Sequence, residues 1–347
     1  MTAPPAAQPR QDRLLRALRC EPADRTPVWF MRQAGRSLPE YRAIRQRNSF
    51  FEVCHDPELC AEVTLQPVKR LGVDAAILFA DIMHPLLGIG IDLEIVEGVG
   101  PVIAQPIRSE RDIIRLRPLE PDDVGFVTDG IRATLDALDG AIPLIGFAGA
   151  PFTLASYLVE GRPSRDFLQT KRLMYGAPNV WDSLMRRLAR IVARYLRIQV
   201  QSGVQVLQLF DSWVGALSLG DYTRYVQPYT GAIFDALADL DVPIIHFGTG
   251  TGSLLEAMRD AGGDVIGLDW RVPLDAAWER IGHDRGVQGN LDPLVLLGPW
   301  EVVQRETDHI LDRAAGRPGH IFNVGHGIHP QTPPDTLARL VEHVHAR

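Results

Sequence analysis

The stretch Pro243–Asp292, PIIHFGTGTGSLLEAMRDAGGDVIGLDWRVPLDAAWERIGHDRGVQGNLD, decides the fold. Three apolar runs of strand length, Pro243–Gly248, Val265–Trp270 and Gly286–Asp292, each break into polar or Gly-rich residues, and helix-period segments fill the gaps. Ser253–Ala261 reads as a helix with Ser253 as N-cap and Gly262 as its stop, and Leu274–Ile281 as another after Pro273. Strands joined by such short helical crossovers make a parallel sheet.

Outward from this stretch the same alternation continues. Pro27–Met31, Ala75–Phe79, Pro143–Gly149, Val206–Asp211 and His320–Gly327 bring the apolar runs to eight. Eight buried strands alternating with helices select a closed (β/α)8 TIM-type barrel, whose active-site cleft opens at the C-terminal ends of the strands. An open doubly wound sheet with a dinucleotide site wants G-x-G-x-x-G after its first strand, but Met31 is followed by RQAGRS. Residues 1–12, rich in Ala, Pro and Gln, read as a flexible N-terminal arm, leaving 13–347 as one barrel domain.

Composition narrows the function. The chain has 347 residues, 46% hydrophobic and 23% charged, which suits a globular protein with a proper core. No apolar run approaches a membrane span, and no hydrophobic stretch follows the charges at the N-terminus, so a cytoplasmic protein with no membrane contact is expected. A net charge of −7 gives no global field for nucleic acid. Cys20, Cys54 and Cys60 are too few for a four-thiolate zinc site and, being odd in number, read as reduced thiols. The only lysines, Lys69 and Lys171, fall in helical segments rather than at strand ends, which argues against Schiff-base chemistry.

Polar residues at the strand ends form one set of candidates: Arg32 and Arg36, Asp81, Tyr157, Asp211 and Ser212, His246, Asp269 and Arg271, Asn290 and Asp292, and His326. Arg32–Arg47 holds five arginines and one glutamate, and most of these belong to a solvated helix face. Arg32 and Arg36 differ. They flank Gln33-Ala34-Gly35, where guanidinium forks and backbone N–H groups can hold carboxylates or phosphates. Asp81 reads either as a cap for the next helix or as a carboxylate in an apolar mouth that stabilises developing positive charge. Tyr157 could equally be a core phenol. Ser212 and His326 lack the G-x-S-x-G elbow of a hydrolase triad, and both His326-Gly-Ile-His329 and Gly248–Ser253 (GTGTGS) are weak metal and phosphate signals.

Five segments in chain order, Pro27–Arg42 (PVWFMRQAGRSLPEYR), Phe79–Asp81, Gly146–Gly161 (GFAGAPFTLASYLVEG), Phe210–Ser212 and Phe322–His329 (FNVGHGIH), resemble the uroporphyrinogen decarboxylase family. The resemblance implies a cytoplasmic homodimeric barrel enzyme of haem and tetrapyrrole synthesis. It would convert the four acetate side chains of uroporphyrinogen III to methyls, giving coproporphyrinogen III and CO2 without metal or organic cofactor. Carried over by motif, Arg32, Gln33, Ala34, Gly35, Arg36, Tyr157, Ser212 and His326 would contact substrate, Phe79 would line the cleft, and Asp81 would be the catalytic carboxylate with Arg32 assisting. Ser37 departs from the family, which usually has Tyr there, and this bears on loop packing. Two other readings stay open: a zinc-dependent methyltransferase of a related barrel, although no cysteine follows residue 60, and a non-catalytic tetrapyrrole carrier.

Overall fold

The computed structural model describes residues 10–96 and 98–347. Most of the expected arm, residues 1–9, lies outside the described residues, and its remainder is already helical in Arg10–Leu18. The strands are β1 (Ala76–Ile77), β2 (Leu93–Val96), β3 (Gly100–Ile103), β4 (Leu144–Gly149), β5 (Val206–Asp211), β6 (Ile244–Gly248), β7 (Val265–Gly267), β8 (Gly286–Gln288) and β9 (His320–Ile321). Seven of them form a curled parallel sheet in the order β1-β4-β5-β6-β7-β8-β9, with registers such as Ile145 opposite Val206 and Leu207 opposite Ile244.

The remaining expected strand, Pro27–Met31, closes the ring with a minimum of pairing. Val28 bridges Phe322, whose N–H donates to the Pro27 carbonyl at 2.9 Å, and on the other side Asp74 N–H donates to the Val28 carbonyl at 2.8 Å. No longer ladder forms, because a carboxylate oxygen of Asp74 takes the Val28 N–H at 2.8 Å and the chain turns at Arg32, which has φ +63°. The barrel architecture expected from the sequence is present, with several runs shorter than they read. Leu274–Ile281 is helical as expected. Its neighbour begins at Leu255, after Leu254 rather than Ser253, and stops at Gly262. The antiparallel hairpin β2/β3, within the long β1–β4 connection, escaped the sequence reading.

Along β5 the period-two alternation sends Phe210 inward, where it meets Phe147 and Phe247 edge-on at 5.5 and 5.9 Å. Deeper inside, a polar chain crosses the barrel: Trp29 Nε1–H donates to Gln288 at 2.9 Å and Gln288 donates to Gln208 at 3.1 Å. At the opposite end from the mouth, the Arg13 guanidinium holds Asp24 through two hydrogen bonds of 2.7 and 2.8 Å and also pairs with Asp74. Asp74 is fully buried and accepts from His345 at 2.7 Å as well as from Val28. This cluster joins the first helix, the closing segment, β1 and the C-terminal helix Pro334–Ala346.

Candidate active site

Two of the quoted segments, Pro27–Arg42 and Phe322–His329, are zipped together at the mouth although Met31 and Asn323 lie 292 positions apart. Met31 N–H donates to Asn323 Oδ1 at 3.1 Å and Ile328 N–H donates to the Met31 carbonyl at 3.0 Å. Gly327 is in close approach to Arg32: a Cβ there would sit 2.5 Å from Arg32 Cδ, so a side chain at 327 would displace the arginine. Arg32 therefore lies along the His326–Gly327 turn, with its side chain exposed to the cleft. Gln33 supports this loop from below. Its side chain is fully buried, accepting from Phe30 N–H at 2.9 Å and donating to the Ala75 carbonyl at 2.9 Å, so only its backbone is left for a ligand. No protein group among the described residues accepts from the N–H groups of Ala34, Gly35 or Arg36. Arg36 is exposed, and its carbonyl takes a hydrogen bond from Arg42 at 2.9 Å.

Asp81 follows β1. Its Oδ1 accepts from Met83 N–H at 2.9 Å, so the capping alternative is realised as a local turn that also aims the carboxylate. Burial pushes this carboxyl above its ordinary range, opposed by the Met83 N–H and by the charge of Arg32. His84, which the sequence reading missed, braces the turn: Asp81 N–H points to its Nδ1 at 3.4 Å and its own N–H donates to the Asp81 carbonyl at 3.2 Å. Burial holds the His84 imidazole down to about 3, so it stays neutral inside a box of Phe51, His55 and Phe126.

Tyr157 stands on the helix Pro151–Glu160, which starts with Pro151 at its first position after β4. Burial raises its phenol, Trp213 and the charge of Arg32 oppose the rise, and the charge of Asp81 adds to it. Trp213 packs edge-on against the ring at 6.1 Å and is a second residue the sequence reading passed over, although it adjoins Ser212. His326 is kept neutral first by burial and then by the nearby charges of Arg32 and Arg271. Arg32, Asp81, Tyr157 and His326 thus share one electrostatic neighbourhood.

The other candidates divide. Ser212 is half-buried at the rim, its carbonyl accepting from Thr249 Oγ1 at 2.5 Å. Phe79 is 7% exposed and packs on Tyr41 and Phe50, both at 5.4 Å, beside the cleft rather than across it. Ser37 is buried and its hydroxyl has no partner. Asp211 and His246 face outward, because they sit one position beyond the inward residues Phe210 and Ile245. Asp211 is fully buried against Thr153, pushed up to about 8 by burial and so protonated at neutral pH. His246 packs on Phe234 at 5.3 Å. Asn290 ties the carbonyls of Asp269 and Val272, and Asp292 caps a short helix at Leu294.

In the GTGTGS turn the Gly250 N–H is taken by Asp269 and the Thr249 hydroxyl by the Ser212 carbonyl, so neither is free for a phosphate. His329 accepts from Gln331 N–H at 3.2 Å, and among the described residues no cluster of three or more His, Cys, Asp and Glu side chains could hold a metal. Lys171 Nζ donates to the Ala216 carbonyl at 2.7 Å. The mouth therefore offers a half-buried carboxylate, Asp81, overlooked by a phenol, a neutral imidazole and cationic groups. It can stabilise a cation at its centre and bind anions at its rim.

The uroporphyrinogen decarboxylase family model matches residues 9–347. A uroporphyrinogen decarboxylase from Thermobifida fusca is 58% identical over 96% of this chain and 92% of its own, and one from Streptomyces coelicolor is 56% identical over 99% and 98%. Among solved structures, a methyltransferase from Methanosarcina mazei superposes with a TM-score of 0.78 at 18% identity, covering 96% of this chain and 98% of its own. At that identity the likeness speaks for the barrel alone. Sequence similarity along nearly the whole length makes this chain a member of the uroporphyrinogen decarboxylase family and a carboxy-lyase.

Proposed function

We propose that this mouth decarboxylates the four acetate side chains of uroporphyrinogen III to give coproporphyrinogen III, with Asp81 as the catalytic carboxylate and Arg32 as its partner. The observation that supports this most is the placement of Asp81, half-buried at the mouth with its Oδ1 fixed by Met83 N–H at 2.9 Å, within electrostatic reach of Arg32 and Tyr157. A reduced tetrapyrrole turns four pyrrole N–H donors toward its centre and carries eight carboxylates at its rim. An acceptor-only carboxylate beneath and guanidinium groups around complement both. Pyrrole N–H donors also favour the ionised form of Asp81, which burial alone disfavours.

Each turnover begins with a proton added to a pyrrole α-carbon, making the ring cationic. The bond between the acetate methylene and its carboxylate then breaks, its electron pair flows into the ring, and CO2 leaves. The exocyclic carbon takes a proton and the α-carbon returns one, so each CO2 is replaced by one proton. Asp81 stabilises the cation, Arg32 orients the acetate, and Arg36, Tyr157, Ser212, His326 and the Gln33–Gly35 backbone hold the remaining polar groups. The substrate ring is its own electron sink, so the step requires no metal or organic cofactor. We further infer a single catalytic domain over 13–347, acting as a cytoplasmic homodimer. In support, no helix among the described residues is long and apolar enough to cross a membrane.

Anaerobic incubation with uroporphyrinogen III and a chelator tests the reading, with the porphyrinogens separated after oxidation. Stepwise appearance of hepta-, hexa-, penta- and tetracarboxyl products is expected. Binding without CO2 release, or inactivity relieved only by zinc, would overturn it in favour of the carrier or the metal-dependent transferase.

A further inference from the structure

Arg271 lies outside the residues the family resemblance brings to the site, yet it is built into the same mouth. It follows β7 in the sequence Leu268-Asp269-Trp270-Arg271. Asp269 is 1% exposed and anchors the turn. One carboxylate oxygen accepts from Arg271 N–H at 2.8 Å, and the other accepts from Gly250 N–H and pairs with Arg271 Nη1 at 3.0 Å. The guanidinium lies over the Trp270 indole at 3.9 Å, and that indole meets the His326 imidazole edge-on at 6.5 Å. The fork is thus stacked on an aromatic face and pinned at one nitrogen, which removes much of the rotamer freedom that an exposed arginine would lose on binding.

Two features separate this arrangement from an ordinary surface ion pair. The Asp269 charge is shared with two backbone N–H groups, so it does not saturate the guanidinium, which keeps further donors. The Arg271 side chain is 54% exposed while its partner is buried, leaving the unpinned edge open to solvent beside His326. The charges of both Arg32 and Arg271 reach the His326 imidazole, so the two guanidinium groups belong to one mouth.

We propose that Arg271 is a specificity-determining residue that grips a rim carboxylate of the tetrapyrrole through the free edge of its guanidinium. The proposal rests on the decarboxylase reading above. A loop clamp alone would explain the Asp269 pairing, but not a stacked, half-exposed fork beside His326.

The test uses the full chain with Arg271→Gln and Arg271→Lys, after the wild type has been shown to release CO2 from uroporphyrinogen. That control separates failure of the decarboxylase reading from failure of this one. Gln can still donate to Asp269 but carries no charge, whereas Lys restores charge without the fork. The expected result for Arg271→Gln is a KM for uroporphyrinogen raised about tenfold or more, the order expected for a lost charge-assisted hydrogen bond. Its kcat should stay within about threefold and its Tm unchanged, and Arg271→Lys should recover part of the KM. A KM within about twofold of wild type in Arg271→Gln overturns the proposal. So does a KM increase that comes with a lowered Tm and is not relieved in Arg271→Lys.

Discussion

The two ends of this barrel hold similar residues in opposite conditions. At the closed end, Arg13 is 6% exposed and Asp74 fully buried, and the Asp74 carboxylate meets Arg13, Val28 N–H and His345. At the mouth, Asp81 meets the Met83 N–H within the protein, while Arg32 and Arg36 are exposed. Charges of the same kind are satisfied by the fold at one end and left for a ligand at the other. Stability and function are therefore separable along the barrel axis, and this separation can be broken by experiment.

The largest effect belongs to the closed end. Arg13→Met takes the guanidinium away from the buried Asp74, which keeps Val28 N–H and His345, and leaves Asp24 only the longer pairing with Arg25 at 3.3 Å; it should cost about 3–5 kcal/mol in urea unfolding, while the folded fraction keeps its kcat. A variant that lost turnover without losing stability would erase the distinction between the ends. Asp81→Asn should do the reverse, lowering kcat by roughly 10²–10³ with an unchanged or higher Tm, since removing a charge that burial opposes relieves the fold. Near-normal kcat in this variant would remove Asp81 from the chemistry.

The pH dependence of stability should carry opposite signs at the two ends. Asp24 is held below the ordinary carboxylate range, first by its hydrogen bond from Arg13. Its contribution is present above its unfolded pKa and is lost as pH falls through the depressed folded value. Asp81 is raised, so its contribution is full below its unfolded pKa and is lost as pH rises through the folded value. Urea midpoints across pH for wild type, Asp24→Asn and Asp81→Asn should show the first variant converging on wild type in acid and the second gaining on wild type as pH rises. Differences of the same sign for both carboxyls would contradict this assignment.

Smaller effects sharpen the picture. Tyr157→Phe should lower kcat/KM by about tenfold or less, the worth of one hydrogen bond, without moving Tm. Ser37→Ala removes a buried hydroxyl that has no partner and should stabilise the fold by about 1 kcal/mol in urea titration, leaving kcat/KM unchanged. A loss of stability there would mean that the hydroxyl is bonded.

Much of this was legible in the chain. The β5 run Val206–Asp211 matches its strand residue for residue, and Pro151 and Gly262 mark helix ends as punctuation residues should. Of the candidate site, Arg32, Asp81, Tyr157 and His326 converge. His84 and Trp213 were not legible, because a histidine after Met83 and a tryptophan after Ser212 carry no local signal of the neighbours they will brace. Asp211 and His246 were misplaced for a complementary reason: a strand end can be located from composition without knowing which face of the pleat it presents.

The sequence by itself determined the strand–helix alternation, and hence the barrel, because hydrophobic periodicity and turn residues act over a few positions. It also carried the polar residues that the barrel places at strand ends. Tertiary structure alone decided that Asp74 would close the ring in place of a ladder bond, that Gly327 would make room for Arg32, and that Asp211 would be buried as a neutral acid. Those outcomes depend on groups far apart in the chain meeting in a site of low polarity. Distance and dielectric there are properties of the packed molecule and of no local segment.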